Sequence, residues 1–196
     1  GNVKIMKLLL DKGANPRIQK QCGKTPLYNA IKKGHIELVK LLLNKGASPH
    51  TQGKYDKTPL HDAADEGHTE IVNLLLQNKA NSDIQDEDGR TALHMAAYKG
   101  HTEVVMLLLE KGGDPNIQQK TGWTALHDAA MGGHIEAVRL LLDKGADLSQ
   151  ETNQGTTALM FAAKKGHTEV VMLLLDKGAN IHTQNKKGWT ALHDAA

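Results

Sequence analysis

The chain has 196 residues, and its 24 lysine and arginine residues nearly balance its 22 aspartate and glutamate residues. That balance supplies no overall field to attract nucleic acid or an anionic membrane surface, and no apolar run approaches the roughly 18 residues that cross a bilayer. One cysteine, Cys22, excludes an intramolecular disulfide framework. Together with the absence of a signal peptide and of an N-glycosylation sequon, it predicts an intracellular protein of the cytoplasm.

Taken in chain order, the sequence is one unit copied in tandem. A Thr-Pro-Leu or Thr-Ala-Leu segment recurs every 33 residues, beginning at Thr25, Thr58, Thr91, Thr124, Thr157 and Thr190. Such a period indicates a repeat architecture in which each unit packs only on its neighbours. We therefore predict a single repeat domain over 1–196, divided into a partial unit 1–24, full units 25–57, 58–90, 91–123, 124–156 and 157–189, and a partial unit 190–196.

The residues of one unit predict two short helices followed by a loop. In the third full unit, Thr91 is a favourable N-cap, and Gly100 ends the first helix. The second helix lies in the segment 101–112, with an acid near its start and a lysine in its last turn, which complements the helix dipole, and Gly112 closes it. The stretch 114–123 is rich in turn-forming residues and predicts a hairpin-like connector.

The apolar residues predict a core shared between units. Paired alanines in the first helices, at 63–64, 96–97, 129–130 and 162–163, allow close helix packing, while leucine triplets in the second helices supply apolar bulk. One unit cannot bury its own apolar face, but a stack of units makes a continuous core. With one phenylalanine, two tryptophans and three tyrosines in the chain, this core must be aliphatic, which leaves the aromatic residues for other roles.

Three segments carry a family signature: Thr-Pro-Leu-His-Asp-Ala-Ala at 58–64, Gly-His-Thr-Glu-Val-Val-Met-Leu-Leu-Leu at 100–109 and Lys-Gly-Ala-Asn at 177–180. They closely resemble the ankyrin repeat, and the resemblance extends over the entire chain. It implies an all-α fold, a curved ankyrin-repeat solenoid of antiparallel helix pairs with β-hairpin-like loops. It also implies that a protein partner binds along the concave side, and that the domain has no chemistry of its own.

Some positions depart from the repeat pattern. Lys79 replaces the closing glycine of the second helix, which should cost up to about 1 kcal/mol if the left-handed conformation is kept. Tyr28 and Met160 replace the usual histidine of the first helix. The resemblance further implies that a connector asparagine can be hydroxylated, and Asn116 alone occupies that position among the connectors.

Eleven histidines raise the question of metal binding or acid–base catalysis. Nine recur at two positions of the unit, namely His61, His94, His127 and His193 after Thr-Pro/Ala-Leu, and His35, His68, His101, His134 and His167 after the interhelix glycine. Recurrence in every unit favours a structural role, and no compact ligand set suggests zinc. Cys22 has no histidine or acid placed as a catalytic partner, and phosphate loops, dinucleotide fingerprints and nucleophile elbows are absent. We predict neither an enzyme nor a metal or cofactor site.

The implied geometry places the residues just before each threonine and just before each interhelix glycine in a partner-binding groove. This rule selects Tyr55, Lys57, Asp65, Glu66, Glu87, Asp88, Arg90, Tyr98, Lys99, Trp123, Met131, Lys164, Lys165 and Trp189, with Lys120, Lys186 and Lys187 beside them. Exposed aromatic residues are frequent interface anchors. The alternative for Trp123 and Trp189 is packing on the neighbouring loop tip.

Charge along the groove is segregated, with lysines towards both ends and acids in the middle. A linear partner with acidic ends and a basic middle would be complementary. We therefore expect a protein-binding module whose partner is a protein or peptide, with no nucleic-acid partner and no insertion into a membrane. The alternative function is a passive spacer within a larger protein. A monomer is expected, and the alternative is head-to-tail contact through the uncapped apolar faces at the two ends.

Overall fold

The computed structural model of the chain describes residues 2–20 and 23–196, so that Cys22 lies outside the described residues. Within them the regular structure is helical, without strands, and comprises twelve α-helices and a 3-10 turn at Lys54–Asp56. The α-helices are α1 (Val3–Asp11), α2 (Pro26–Lys32), α3 (Ile36–Asn44), α4 (Pro59–Asp65), α5 (Thr69–Gln77), α6 (Ala92–Lys99), α7 (Thr102–Glu110), α8 (Ala125–Gly132), α9 (Ile135–Asp143), α10 (Ala158–Lys165), α11 (Thr168–Asp176) and α12 (Ala191–Ala195). The predicted all-α class is confirmed.

The first helix of each pair begins after the threonine of the repeated segment, and in four helices a histidine completes the cap. At α4 the backbone N–H of Thr58 donates to Nδ1 of His61 over 3.1 Å. Because Nδ1 accepts, the proton of the neutral ring is on Nε2, which donates to the carbonyl oxygen of Arg90 over 2.9 Å. The histidine therefore caps its own helix and also ties it to the next connector.

The histidine after the interhelix glycine reaches back to the preceding unit. The Nε2 atom of His134 lies 3.1 Å from the carbonyl oxygen of Tyr98, and His101 and His167 make the equivalent contact in their own units. A Cβ atom added at Gly100 would lie 2.4 Å from the His134 ring. Glycine is required there because the ring occupies the space of a side chain.

The helices stack in two rows. The first helices α2, α4, α6, α8, α10 and α12 each pack on the next one along the chain, and the second helices α1, α3, α5, α7, α9 and α11 form the other row. Contacts are closer in the first row, where paired alanines such as Ala96 and Ala97 are fully buried. The largest fully buried side chains are leucine, isoleucine and Met160, which confirms the aliphatic core and leaves the aromatic residues outside it.

Each connector is a hairpin-like turn whose tip is tied to the next one. The N–H of Gln119 donates to the carbonyl of Trp123 over 2.7 Å, and the N–H of Gly122 donates to the carbonyl of Gln119 over 2.8 Å. The N–H of Asn153 then reaches the carbonyl of Thr121 in the preceding tip over 2.9 Å. These backbone bonds align the tips as one edge of the groove.

Left-handed residues close the second helices and the turns. Gly112 has φ 90°, and Lys79 takes the same role after α5 with φ 66°, so the expected left-handed lysine is present. Most connector tips use a glycine such as Gly89, with φ 83°. The second full unit instead begins after a tip where Tyr55 and Asp56 have φ values of 63° and 55°. Two successive left-handed residues with side chains mark this tip as strained.

Candidate protein-binding groove

The first helices and the connector tips border a groove with three pockets at intervals of two units. The N-terminal pocket lies between α2 and α4, the central pocket between α6 and α8, and the C-terminal pocket between α10 and α12. Each includes the aspartate four residues after the threonine of its unit, namely Asp62, Asp128 or Asp194. The pockets therefore occupy equivalent places in the repeat.

The central pocket brings four residues of the sequence prediction together. It has a volume of about 350 Å³ and is lined by Arg90, Tyr98, Trp123 and Met131. Tyr98 is 50% exposed although it lies on a helix that is otherwise buried over six residues. The ammonium of Lys99 lies 6.0 Å from the centre of the Tyr98 ring. Aromatic and thioether groups around a polar pocket are features of sites that bind side chains of other proteins.

The two tryptophans differ in their surroundings. Trp123 is half-buried and packs on Phe161 of α10, with ring centroids 4.3 Å apart. It therefore both packs on the first helix of the unit after next and lines the central pocket. Trp189 is 48% exposed and lies 6.3 Å from the His193 ring, so about half of its surface is available in the C-terminal pocket.

The N-terminal pocket contains the predicted residues Tyr55 and Lys57. Its volume is about 260 Å³, and Lys24 and Lys54 add further positive charge. The ammonium of Lys54 lies 4.3 Å from the centre of the Tyr55 ring. The strained tip therefore presents an aromatic ring and cations side by side.

The C-terminal pocket contains the predicted residues Lys164 and Trp189. Its volume is about 410 Å³, and Lys187 lies on its connector side. Lys165 follows Lys164 at the end of α10 and is also exposed. Lysines thus surround the exposed tryptophan at this end of the groove.

Asp65 and Glu66 are engaged by a lysine of the preceding unit. Lys32 at the end of α2 is hydrogen-bonded to Glu66, and its ammonium lies 3.9 Å from carboxylate oxygens of both Asp62 and Asp65. In the linear sequence Lys32 belongs to the basic N-terminal end of the groove, and the two acids belong to its middle. The contact between them makes the separation of charge less sharp here than the linear sequence implied.

Arg90 is held by acids of its own connector. Its guanidinium contacts Asp86 at 2.9 Å and Asp88 at 2.8 Å. Burial alone would raise the pKa of Asp86, but hydrogen bonds and charge from Arg90 outweigh it and hold that pKa below its ordinary value. The neighbouring Glu87 is exposed, and its backbone N–H donates to the carbonyl of Tyr55 over 3.1 Å. This tip keeps an excess of negative charge beside the central pocket.

Asp128 is a buried acid that faces the central pocket. Its carboxylate accepts a hydrogen bond from the amide of Gln119 over 2.9 Å. Burial raises the pKa of Asp128 to about 7, against the opposing effects of that hydrogen bond and of the positive charge on Arg90. A carboxyl with this pKa changes its charge near neutral pH. A cation brought into the pocket would stabilise its ionised form.

The histidines at the helix starts have structural surroundings. Burial lowers the pKa of both His94 and His127 to about 4, so both rings are neutral at physiological pH and serve as hydrogen-bonding links.

In the described ranges 2–20 and 23–196 no group of three histidine, cysteine, aspartate or glutamate residues could hold a metal ion. Every helix in that part of the chain is also too short or too polar to cross a membrane.

Sequence reasoning missed the aspartates of the pockets. Asp62, Asp128 and Asp194 lie on the first helices, each immediately before the paired alanines of its unit. At the same position of the intervening units stand Met95 and Phe161. The fourth residue after the repeated threonine alternates between an acid and an apolar residue along these units, and this alternation could have revealed the pockets. The sequence prediction considered only the residues before each threonine and before each interhelix glycine, so it did not include this position.

Asn116 lies in the connector away from the pockets. Its amide nitrogen donates to the carbonyl of Gly145 over 3.0 Å, and its side-chain oxygen accepts from the N–H of Asp147 over 2.7 Å. Both ends of the amide therefore join two connectors. Hydroxylation of this residue stays a prediction.

Paired helices stacked in two rows, with tied connector tips and a groove along the first helices, define a solenoid repeat protein. The sequence profile of the family described as ankyrin repeats (3 copies) matches residues 1–86, 78–152 and 146–196. The chain belongs to the ankyrin-repeat family.

A solved structure supports the same fold. The chain is similar to the ankyrin repeat domain of Bcl-3, described as a unique member of the IkappaB protein family, with 29% sequence identity and a TM-score of 0.85. The alignment covers 98% of this chain and 87% of that one, and it confirms the ankyrin-repeat solenoid. A comparison with curated proteins finds no match. Ankyrin-repeat domains generally mediate protein–protein interaction, but 630 solved chains match this one, so the fold alone does not select a partner.

Proposed function

We propose that this domain binds a protein or peptide partner in the groove along its first helices and connector tips, and that it has no catalytic activity. The observation that carries the proposal is the central pocket, where Tyr98, Trp123 and Met131 meet beside Arg90. Clustered aromatic residues with a charged rim are the usual composition of interface anchors. The array would consist of five complete repeats between two partial ones, an arrangement supported by the five helix pairs from α2 to α11.

Affinity capture from a cell lysate tests this proposal. The wild-type domain is compared with a groove variant, Tyr98→Ala, Trp123→Ala, Met131→Ala. The matched control removes three exposed apolar side chains from the second helices, Met106→Ala, Met172→Ala, Leu175→Ala, which are 41%, 53% and 40% exposed. Circular dichroism and the unfolding midpoint establish that each variant is folded before capture, since Trp123 also packs on Phe161.

The expected result is a set of proteins retained by the wild type and by the control but lost by the groove variant. Partners lost from the control instead would place binding on the second helices. If both folded variants capture what the wild type captures, the groove has no binding role. That outcome would favour the alternative of a passive spacer within a larger protein.

A further inference from the structure

The three groove pockets differ in the balance of their charged residues. In the N-terminal pocket, Lys24, Lys54 and Lys57 stand against the single carboxylate of Asp62, and that carboxylate already lies near Lys32 of the preceding unit. Positive charge therefore dominates the N-terminal pocket.

The C-terminal pocket has the same sign. Lys164 and Lys187 line it together with one carboxylate, Asp194, and no ion pair joins these residues in the part of the chain that the structure describes. An acidic side chain entering between these lysines would meet two exposed ammonium groups.

The central pocket lacks this excess of positive charge. Its basic residue Arg90 is engaged by Asp86 and Asp88, while Asp128 receives its hydrogen bond from the neutral amide of Gln119. The other ionisable residue in the lining, His94, is neutral because burial lowers its pKa to about 4. The guanidinium is thus paired with two carboxylates outside the pocket lining, and among the described residues the buried carboxyl of Asp128 has no cation in contact.

The apolar lining of the central pocket suits the stem of a basic side chain. Tyr98, Trp123 and Met131 provide the surface along which methylene groups can pack. A cation near the faces of tyrosine and tryptophan is attracted by their rings as well as by the carboxylate.

The distance between pockets fits an extended peptide. Asp62, Asp128 and Asp194 are two units apart, and packed helices lie about 8–10 Å from each other, so adjacent pockets are roughly 16–20 Å apart. An extended chain advances about 3.3 Å per residue, which corresponds to about six residues between pockets.

Building on the proposed function, we infer that the groove binds one extended peptide segment with an acidic residue in each outer pocket and a lysine or arginine in the central pocket, at intervals of about six residues. A nucleic acid would present the same negative charge to all three pockets and would be repelled at the centre. An apolar helix would leave the buried carboxyl of Asp128 without a cation.

The test uses fluorescein-labelled peptides of 15 residues. The matched peptide has glutamate at positions 2 and 14, lysine at position 8, and serine, threonine and leucine elsewhere. Its charge pattern is symmetric, so either chain direction in the groove presents the same charges. The charge-swapped peptide exchanges glutamate and lysine, and a third peptide keeps the composition of the matched one but moves the lysine to position 4. Affinity is measured by fluorescence anisotropy at low and at physiological ionic strength.

The matched peptide is expected to bind the domain at least tenfold more tightly than either other peptide, with a smaller difference at higher salt. A variant of the matched peptide with glutamine at position 8 should bind the wild-type domain more weakly than the matched peptide does. Asp128→Asn should reduce this difference in affinity. The control Asp176→Asn removes an exposed carboxylate on α11 and should leave that advantage unchanged.

Equal affinity for the three peptides overturns the inference. If those affinities nonetheless fall together with Trp123→Ala, the groove binds peptides without this charge pattern, and the proposed function stands. If no peptide binds, the inference is also wrong, while the proposed function is decided by the capture experiment. Unchanged discrimination at position 8 in folded Asp128→Asn excludes Asp128 as the group that recognises the cation.

Discussion

At Asp128 the fold keeps a carboxyl buried in the groove with one neutral hydrogen-bond donor, Gln119. Its pKa of about 7 compares with an ordinary value of 3.8. Between these two values the folded state binds a proton more readily than the unfolded state. The protonated carboxyl therefore supports folding at low pH, and this contribution is lost as the pH rises through 7.

We predict that Asp128→Asn stabilises the domain at pH 8 by about 2–4 kcal/mol, since a shift of one pKa unit corresponds to about 1.4 kcal/mol. The gain should shrink steadily towards pH 4, where the wild-type carboxyl is protonated in the fold. Urea unfolding of both proteins at pH 4.5, 6 and 8 measures the difference. A difference that does not depend on pH would contradict the buried ionisation, and the exposed Asp176→Asn serves as the control.

The histidine caps act on stability in the opposite direction. His94 and His127 have pKa values of about 4 in the fold against an ordinary value of 6.5. Unfolding therefore takes up protons between these values, and stability is lost as the pH falls from 6.5 towards 4. The histidines are common to wild type and Asp128→Asn, which is why the difference between the two proteins isolates the carboxyl.

At the scale of a helix pair, the interhelix glycine makes room for a histidine of the next unit. Gly100 has φ 70°, and an added Cβ would lie 2.4 Å from the His134 ring. Gly166 occupies the same place in a later unit with φ 71°, but no atom lies within 4 Å of its added Cβ. The two glycines thus share a backbone conformation and differ in their neighbours.

Gly100→Ala should destabilise the domain by roughly 2–3 kcal/mol, whereas Gly166→Ala should cost about 1 kcal/mol from backbone strain alone. The additional loss at residue 100 comes from displacing His134 and its hydrogen bond to the carbonyl of Tyr98. Chemical denaturation of the two variants measures both values. Equal losses would mean that the histidine moves aside freely and does not hold the units together.

At the end of α5 a residue with a side chain occupies a left-handed position, so the informative substitution there is to glycine. Lys79 has φ 66°, so Lys79→Gly should stabilise the domain by about 0.5–1 kcal/mol by relieving a left-handed lysine. Lys111 precedes Gly112 with φ −91°, and Lys111→Gly should instead destabilise by a similar amount. Thermal unfolding distinguishes the two, and a loss of stability in both variants would show that the lysine at 79 is not strained.

The helix caps and closing residues could be predicted from the sequence, whereas the pocket residues could not. Threonine caps, closing glycines and recurring histidines predict local structure because each needs a particular backbone conformation or hydrogen bond within one unit. Pocket residues depend on contacts between units, such as the packing of Trp123 on Phe161 and the reach of Lys32 to Glu66. Equivalent positions in different units therefore have different neighbours, and the repeat pattern alone does not predict them.

Over the whole molecule, burial is greatest in the middle of the stack. Helix α6 has six buried residues, whereas α12 has none, and Leu192 on α12 is 80% exposed. In a stack where each unit contacts only its neighbours, stability is a sum of local and nearest-neighbour contributions. Unfolding of this chain should therefore begin at α12 and reach α6 later.

The two tryptophans report these regions separately. In Trp123→Phe the fluorescence follows Trp189 beside α12, and in Trp189→Phe it follows Trp123 beside α8 and α10. We expect the Trp189 signal to change at a lower urea concentration than the Trp123 signal, because Trp189 is 48% exposed and its ring lies beside the last helix, whereas the half-buried Trp123 packs on Phe161. Circular dichroism of each variant gives the reference for loss of helix. Coincident transitions of both signals would mean that the stack unfolds as one cooperative unit, and that contacts between units outweigh the differences in burial along it.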